Sequence, residues 1–229
     1  MAPIFYLFLV ESSLEIVPKE LWDHPCILND AKRKGKRPRE ILLNISKHYS
    51  AMKKLDNIGK RGRPDIVHLS LLTALDSPLN KAGLLRIYVH TIRNKVIKVN
   101  PEVRLPRNFD RFEGLMVQLL LEGGVPRSGK CLLEVLKEDL KGIIENEGID
   151  LLIGFSRIGR KVNLEDFLRR IMRNKKRIGL FIGGFQRGHF SKEIADLLDD
   201  IISISKYPLP SHLAICKVIS KIEELLRID

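Results

Sequence analysis

The chain has 229 residues, with 40 Lys+Arg against 28 Asp+Glu, a net charge of +12 and 44% hydrophobic residues. That length buries a sizeable core without covalent staples, and the positive surplus points to a polyanionic partner. The three cysteines, Cys26, Cys131 and Cys216, are odd in number and lack CxxC spacing, which argues against a disulfide framework and against a structural zinc site.

The run IFYLFLV, residues 4–10, comes first. Seven apolar residues with no positive stretch before them and Glu11 straight after fit neither a signal peptide nor a membrane span, so they predict a buried first strand. No later apolar run is long enough to cross a bilayer, and a cytoplasmic, soluble protein is expected. KRKGKRPR, residues 32–39, is basic at six of eight positions, and its Gly and Pro predict a mobile basic loop serving solubility or nucleic-acid contact. From Pro38, the apolar residues Ile41, Leu42, Ile45, Tyr49, Met52 and Leu55 recur at helical spacing and predict an amphipathic helix.

A second basic turn, GKRGRPD, leads through Pro64 and Asp65 into a short apolar helix ending near Asp76, Ser77 and Pro78. GLLRIYVHT and NKVIKVN follow as the strands of a β-hairpin. RLPRNFDR then gathers Arg104, Arg107 and Arg111 around one proline. Asn108 is a plausible N-cap for a helix through FDRFEGLMVQLLLEG, so the three arginines can converge on one surface, where they serve either as solvated charge or as a bidentate grip on phosphates. Asp65, two residues from Arg63, is either a capping acid or a carboxylate that orients that arginine or accepts a proton.

GVPRSGKC, residues 124–131, matches a phosphate-binding GxxxxGK pattern, yet Cys131 replaces the metal-binding hydroxyl and a helix rather than a strand precedes it. NTP hydrolysis is set aside. The six histidines show no paired ligand spacing and are taken as structural, with His189 the least secure because it lies in a glycine loop. From Gly129 on, apolar strands (131–135, 149–156, 178–184, 201–205) alternate with helices (136–148, 164–176, 191–200, 211–228) and indicate a parallel sheet covered by helices on both faces. Ligands bind such sheets at the carboxyl ends of strands, here the segments GFSR, GGFQRGHF and SKYPLPSHL.

RGRPDIVH, LDSPLNKAGLLRIYVHT, NPEVRLPRNFDRFEGLMVQLL, IGGFQRGHF and ISKYPLPSHLA together resemble the ribosome-biogenesis methyltransferases of the SPOUT class that methylate N1 of a pseudouridine in small-subunit ribosomal RNA. The resemblance runs from the first strand to the last helix, and the short ends point to an archaeal member. It implies an α/β fold with a C-terminal trefoil knot, S-adenosyl-L-methionine as cofactor, a homodimer, and work on a pre-ribosomal particle without metal or membrane. The whole chain is then one domain, with residues 25–128 as an insertion carrying a β-hairpin and a helical basic lobe, and the knot at about 150–229. The resemblance puts the cofactor at Gly154 and Phe155, at Gly183, Gly184 and Gly188, and at Ile204, Ser205, Lys206, Tyr207, Pro208 and Leu209. It puts the RNA at Arg63, Asp65, Arg104, Arg107 and Arg111, with Arg63 and Asp65 nearest the chemistry. A non-catalytic ribosomal RNA clamp, or a SPOUT enzyme acting on tRNA or another base, shares these features and stays open as an alternative.

Overall fold

The computed structural model describes residues 2–228. The expected first strand, β1 (Ile4–Ser12), lies at the centre and is buried on both faces. After α1 (Pro25–Arg33) and α2 (Ile45–Met52) come α3 (Pro64–Leu75), the single-turn α4 (Pro78–Lys81) and the hairpin β2 (Leu85–Thr91) and β3 (Val96–Val99). α5 (Phe109–Glu122) leads to the short strands β4 (Gly124–Val125) and β5 (Leu133–Val135), then α6 (Leu140–Asn146). The last part is β6 (Leu151–Lys161), α7 (Leu164–Asn174), β7 (Arg177–Gly183), the single-turn α8 (Lys192–Ala195), β8 (Asp200–Ser203) and α9 (Ser211–Leu226).

All eight strands form one sheet in the order β4-β5-β3-β2-β1-β7-β6-β8. β1, β2, β6, β7 and β8 are joined by parallel pairings, and the β3, β4 and β5 side is antiparallel. Alternation along β1 sorts its side chains between two cores. Phe5, Leu7 and Leu9 pack with apolar faces of α3, α5, α7 and α9. Tyr6, Phe8 and Val10 pack with Leu140, Ile143 and Ile194 from α6 and α8. A third, smaller core holds the helical segment together, with Val17, Ile27, Ile41, Ala51 and Met52.

Several expectations change. The inserted hairpin is part of the central sheet, because β2 pairs in parallel with β1, Phe5 opposite Leu85 through Leu9 opposite Val89. Within residues 25–128, only the segment before α3 has a core of its own. Strand β5 is antiparallel to β3, so the parallel rhythm begins at β6 rather than at Gly129. Ile41 and Leu42 are extended, held by Val17 N–H to Ile41 O (3.0 Å) and an isolated bridge between Ile16 and Leu42. The helix starts only at Ile45, where the Asn44 side chain accepts from Ser46 N–H. Lys32 and Arg33 belong to α1, so the basic loop is shorter than expected. The helix expected over 191–200 is one turn, because β8 begins at Asp200.

β6 is longer than expected because β8 pairs with it twice. Ile153–Phe155 face Asp200–Ile202, and Arg160–Lys161 face Ile202–Ser203. Between the two stretches Gly159 lies so close to β8 that a Cβ there would stand 2.6 Å from Ile201 O, a distance only glycine permits.

Candidate functional site

Where β6 parts from β7 after Phe155, beside the carboxyl ends of β7 and β8, a cleft of about 500 Å³ opens. Its walls come from Phe155, Ser156 and Arg157 inside β6, from the ends of β7 and β8 with the segments that follow them, and from the first turn of α9. Phe155, Ile182, Leu209 and Ala214 give it an apolar side, while Ser203, Ser205 and Ser211 add hydroxyls. Ser211 Oγ donates to Gly183 O at 2.5 Å and so fixes the start of α9 against the end of β7. At the rim, Arg157 and Arg187 are exposed and have no carboxylate partner among the described residues.

Of the expected cofactor positions, Phe155, Gly183, Gly188, Ile204, Ser205, Tyr207, Pro208 and Leu209 line this cleft, and Gly154, Gly184 and Lys206 do not. Gly154 is a packing glycine inside β6, where a Cβ would stand 2.5 Å from Leu198 Cδ1. Gly184 lies against the end of β1, where a Cβ would meet Ser12 Oγ at 2.2 Å, and its N–H donates to Val10 O. At Gly183 the space a Cβ would take is filled by the Phe185 ring, 2.6 Å away. Ser203 escaped the sequence analysis, and Arg157, Arg187 and Ser211 entered it only as members of the segments GFSR, GGFQRGHF and SKYPLPSHL. Hydroxyls and single arginines carry no spacing signal, although Arg157 and Arg187 follow predicted strand ends and Ser211 opens the predicted last helix.

Arg63 and Asp65 meet as a fork: Arg63 Nε donates to Oδ1 at 2.8 Å and Nη2 to Oδ2 at 2.6 Å. The hydrogen bond to Asp65 raises the Arg63 pKa and keeps the guanidinium charged. Pro64 opens α3 directly behind them. One turn further on, His68 Nε2 donates to Pro106 O at 2.7 Å, and its ring stacks on Phe112, centroids 4.2 Å apart. That contact ties the RLPRN segment to α3. Arg104, Arg107 and Arg111 are exposed along this segment and the first turn of α5, which Asn108 caps as expected by accepting from Arg111 N–H. Arg107 pairs with Asp76 at 3.0 Å. Arg104 and Arg111 have no ion partner among the described residues. Other basic residues are spent on structure, since Arg61 forks buried Glu15 at 2.7 and 2.8 Å and Arg93 adds a bond to the same carboxylate.

The arginine region also touches the cleft wall. Arg187 N–H donates to Gly59 O at 3.0 Å, and Lys60 Nζ stands 4.8 Å from the Phe185 ring centre. Thus the turn leading to Arg63 rests on the segment that follows β7.

The histidines separate as expected. His48 and His90 are buried and hydrogen-bonded, His24 caps α1, and His189 is exposed at the cleft. GVPRSGKC joins β4 to β5 rather than a strand to a helix. Among the described residues no group of three or more His, Cys, Asp or Glu could hold a metal ion, and no helix is long and apolar enough to cross a membrane.

Known proteins share this sequence and shape. The family model described as EMG1/NEP1 methyltransferase matches residues 7–223. "Ribosomal RNA small subunit methyltransferase Nep1" of Staphylothermus marinus is 47% identical over 223 residues, covering 97% of this chain and 96% of that protein. The protein of the same name from Saccharolobus solfataricus is 43% identical over 221 residues, covering 96% and 97%. The crystal structure of Archaeoglobus fulgidus Nep1 bound to S-adenosylhomocysteine is similar with a TM-score of 0.86 and 36% identity, covering 99% of this chain and all of that one.

Proposed function

The chain belongs to the EMG1/NEP1 methyltransferase family, and from that premise we propose that it uses S-adenosyl-L-methionine to methylate small-subunit ribosomal RNA, at N1 of a pseudouridine in a loop. The observation that carries this reading is the contact between a cleft of cofactor size and a turn that presents Arg63 and Asp65.

The residues present fit the cofactor. A cleft of about 500 Å³ lies within the usual span for small-molecule sites. Its apolar side from Ile182, Leu209 and Ala214 suits an adenine ring, its serines suit ribose hydroxyls, and the free Arg157 and Arg187 suit a carboxylate. When bound, this cofactor supplies an electrophilic methyl group on a sulfonium sulfur. The protein's own share is positioning: Arg63, held flat by Asp65, offers a charged donor beside the target base, and Arg104, Arg107 and Arg111 hold phosphates of the loop. A base must be splayed out of its loop for its N1 to reach the cleft, and single-stranded loops permit this at low cost. Transfer would form the N1–C bond as the carbon–sulfur bond breaks to leave a thioether, and the N1 proton would pass to solvent water. Both Asp65 oxygens already accept from Arg63, which favours the orienting role over that of proton acceptor.

The trefoil knot at the carboxyl end belongs to the same proposal. It is supported by β8, which pairs with two separate stretches of β6 and runs close against Gly159 between them. A homodimer acting on a pre-ribosomal particle also belongs to this proposal, and Ile158, Tyr207 and Leu213 provide exposed apolar surface for it near the cleft.

The test is incubation with labelled S-adenosyl-L-methionine and two RNA hairpins that differ only in uridine or pseudouridine at the loop target. Transfer to the pseudouridine hairpin alone is expected. Transfer to both, or to neither while the cofactor binds, would sink the assigned target atom.

A further inference from the structure

Glu11 ends the regular part of β1 with a left-handed backbone, φ +48°, a conformation that a residue of this type adopts only where its surroundings impose it. Its N–H donates to His90 Nδ1 at 3.3 Å. The carboxylate is buried, and its two oxygens are taken by two different segments: Oε1 accepts from Lys60 Nζ at 2.7 Å and Oε2 from Ser191 N–H at 3.1 Å. Lys60 belongs to the turn that leads to Arg63 and Asp65. Ser191 closes the segment 185–191, which forms one wall of the cleft. Lys60 also leans on that wall directly, with its ammonium over Phe185 and its stem so near Gly188 that a Cβ there would stand 3.3 Å from Cε. A buried carboxylate with one cation and one amide as partners does not tolerate loss of either, so the two segments are fixed to one another through Glu11.

We propose that Glu11 is a positioning residue that makes cofactor binding and RNA binding reinforce each other. A methyl donor seated against 185–191 fixes Lys60, and Lys60 fixes the turn that presents Arg63 and Asp65. RNA held on that turn fixes the cleft wall in return, because coupling between two sites is reciprocal. The proposal rests on the methyltransferase reading above and adds to it a coupling between the two ligands, in which each prepares the site for the other.

The measurement is the affinity of the full-length protein for the pseudouridine hairpin with and without saturating S-adenosylhomocysteine, together with the reciprocal titration. Wild-type protein is expected to bind the hairpin about fivefold or more tightly in the presence of S-adenosylhomocysteine. In Glu11→Gln and in Lys60→Met the ratio should fall to about one, and Lys60→Arg, which keeps the charge, should restore it. Lys60→Met keeps the apolar stem over Phe185 and serves if the Glu11 variant does not fold. A wild-type ratio of one overturns the proposal. So does a Lys60→Met protein that melts at a lower temperature yet keeps the wild-type ratio, since Glu11 and Lys60 would then be structural only. Wild-type protein that binds neither S-adenosylhomocysteine nor RNA overturns the methyltransferase reading itself.

Discussion

Arg63 and Asp65 hold each other through two short hydrogen bonds, and that geometry separates the two roles a carboxylate can play here. Asp65→Asn keeps one acceptor and loses the charge, so kcat/KM for the hairpin should fall about 10- to 100-fold, the size of one charge-assisted bond. Cofactor affinity and the shape of the pH–rate profile should not change, whereas loss of a limb of that profile would mark Asp65 as the proton acceptor. The three arginines differ in the same measurable way. Arg104→Gln and Arg111→Gln should each lower the slope of log K against log salt by about 0.7 to 0.9, while Arg107→Gln should lower it less, because Asp76 already takes part of that charge. Buried His48 provides a pH test. Burial pushes its pKa below the ordinary 6.5, against an opposing pull from Asp30, so the unfolded chain takes up the proton first. Stability is therefore full above about pH 6.5 and is lost as the pH falls toward the folded value. The melting temperature should be lower at pH 5 than at pH 7.5, and His48→Gln should weaken that dependence.

Helices α3 and α5 carry the two halves of the arginine surface, and one side chain joins them. His68 reaches from α3 to the Pro106 carbonyl and stacks on Phe112 of α5. The bond and the stacking contribute about 1 kcal/mol each. His68→Ala should therefore weaken hairpin binding about 5- to 30-fold, with the affinity for S-adenosylhomocysteine unchanged, as read by titration calorimetry. A parallel loss of cofactor affinity would show instead that α3 supports the cleft. The helical segment before α3 has its own small core, and some of its basic residues serve buried acids: Lys34 and Lys47 face Glu113, and Lys34 also faces Asp30.

Across the whole molecule, one sheet has its cleft at one end and exposed apolar residues from three converging segments beside it. Ile158 is 65% exposed and Tyr207 76% exposed, which favours a second copy of the chain as cover. If the protein is the proposed homodimer, Ile158→Asp should shift it to monomer in sedimentation velocity at micromolar concentration. A wild-type monomer, or a dimer that ignores the substitution, would rule this surface out.

What the sequence alone determined is what neighbours along the chain decide. The seven-residue apolar run was bound to be buried, Asn108 to cap a helix whose first turn carries Arg111, and Asp65 to lie within reach of Arg63, because turn chemistry and period act over a few residues. The motifs of the family likewise survive as local strings. Tertiary structure decided which glycines face the cleft and which only pack: Gly154 lies within β6 against Leu198, whereas Gly183 ends β7 and lines the cleft. It also decided that the hairpin joins the central sheet through β1, and that Glu11 meets Lys60, 49 residues away, and Ser191, 180 residues away. Contacts of that range are fixed by how the sheet closes and which side chains it buries, and no local pattern encodes them.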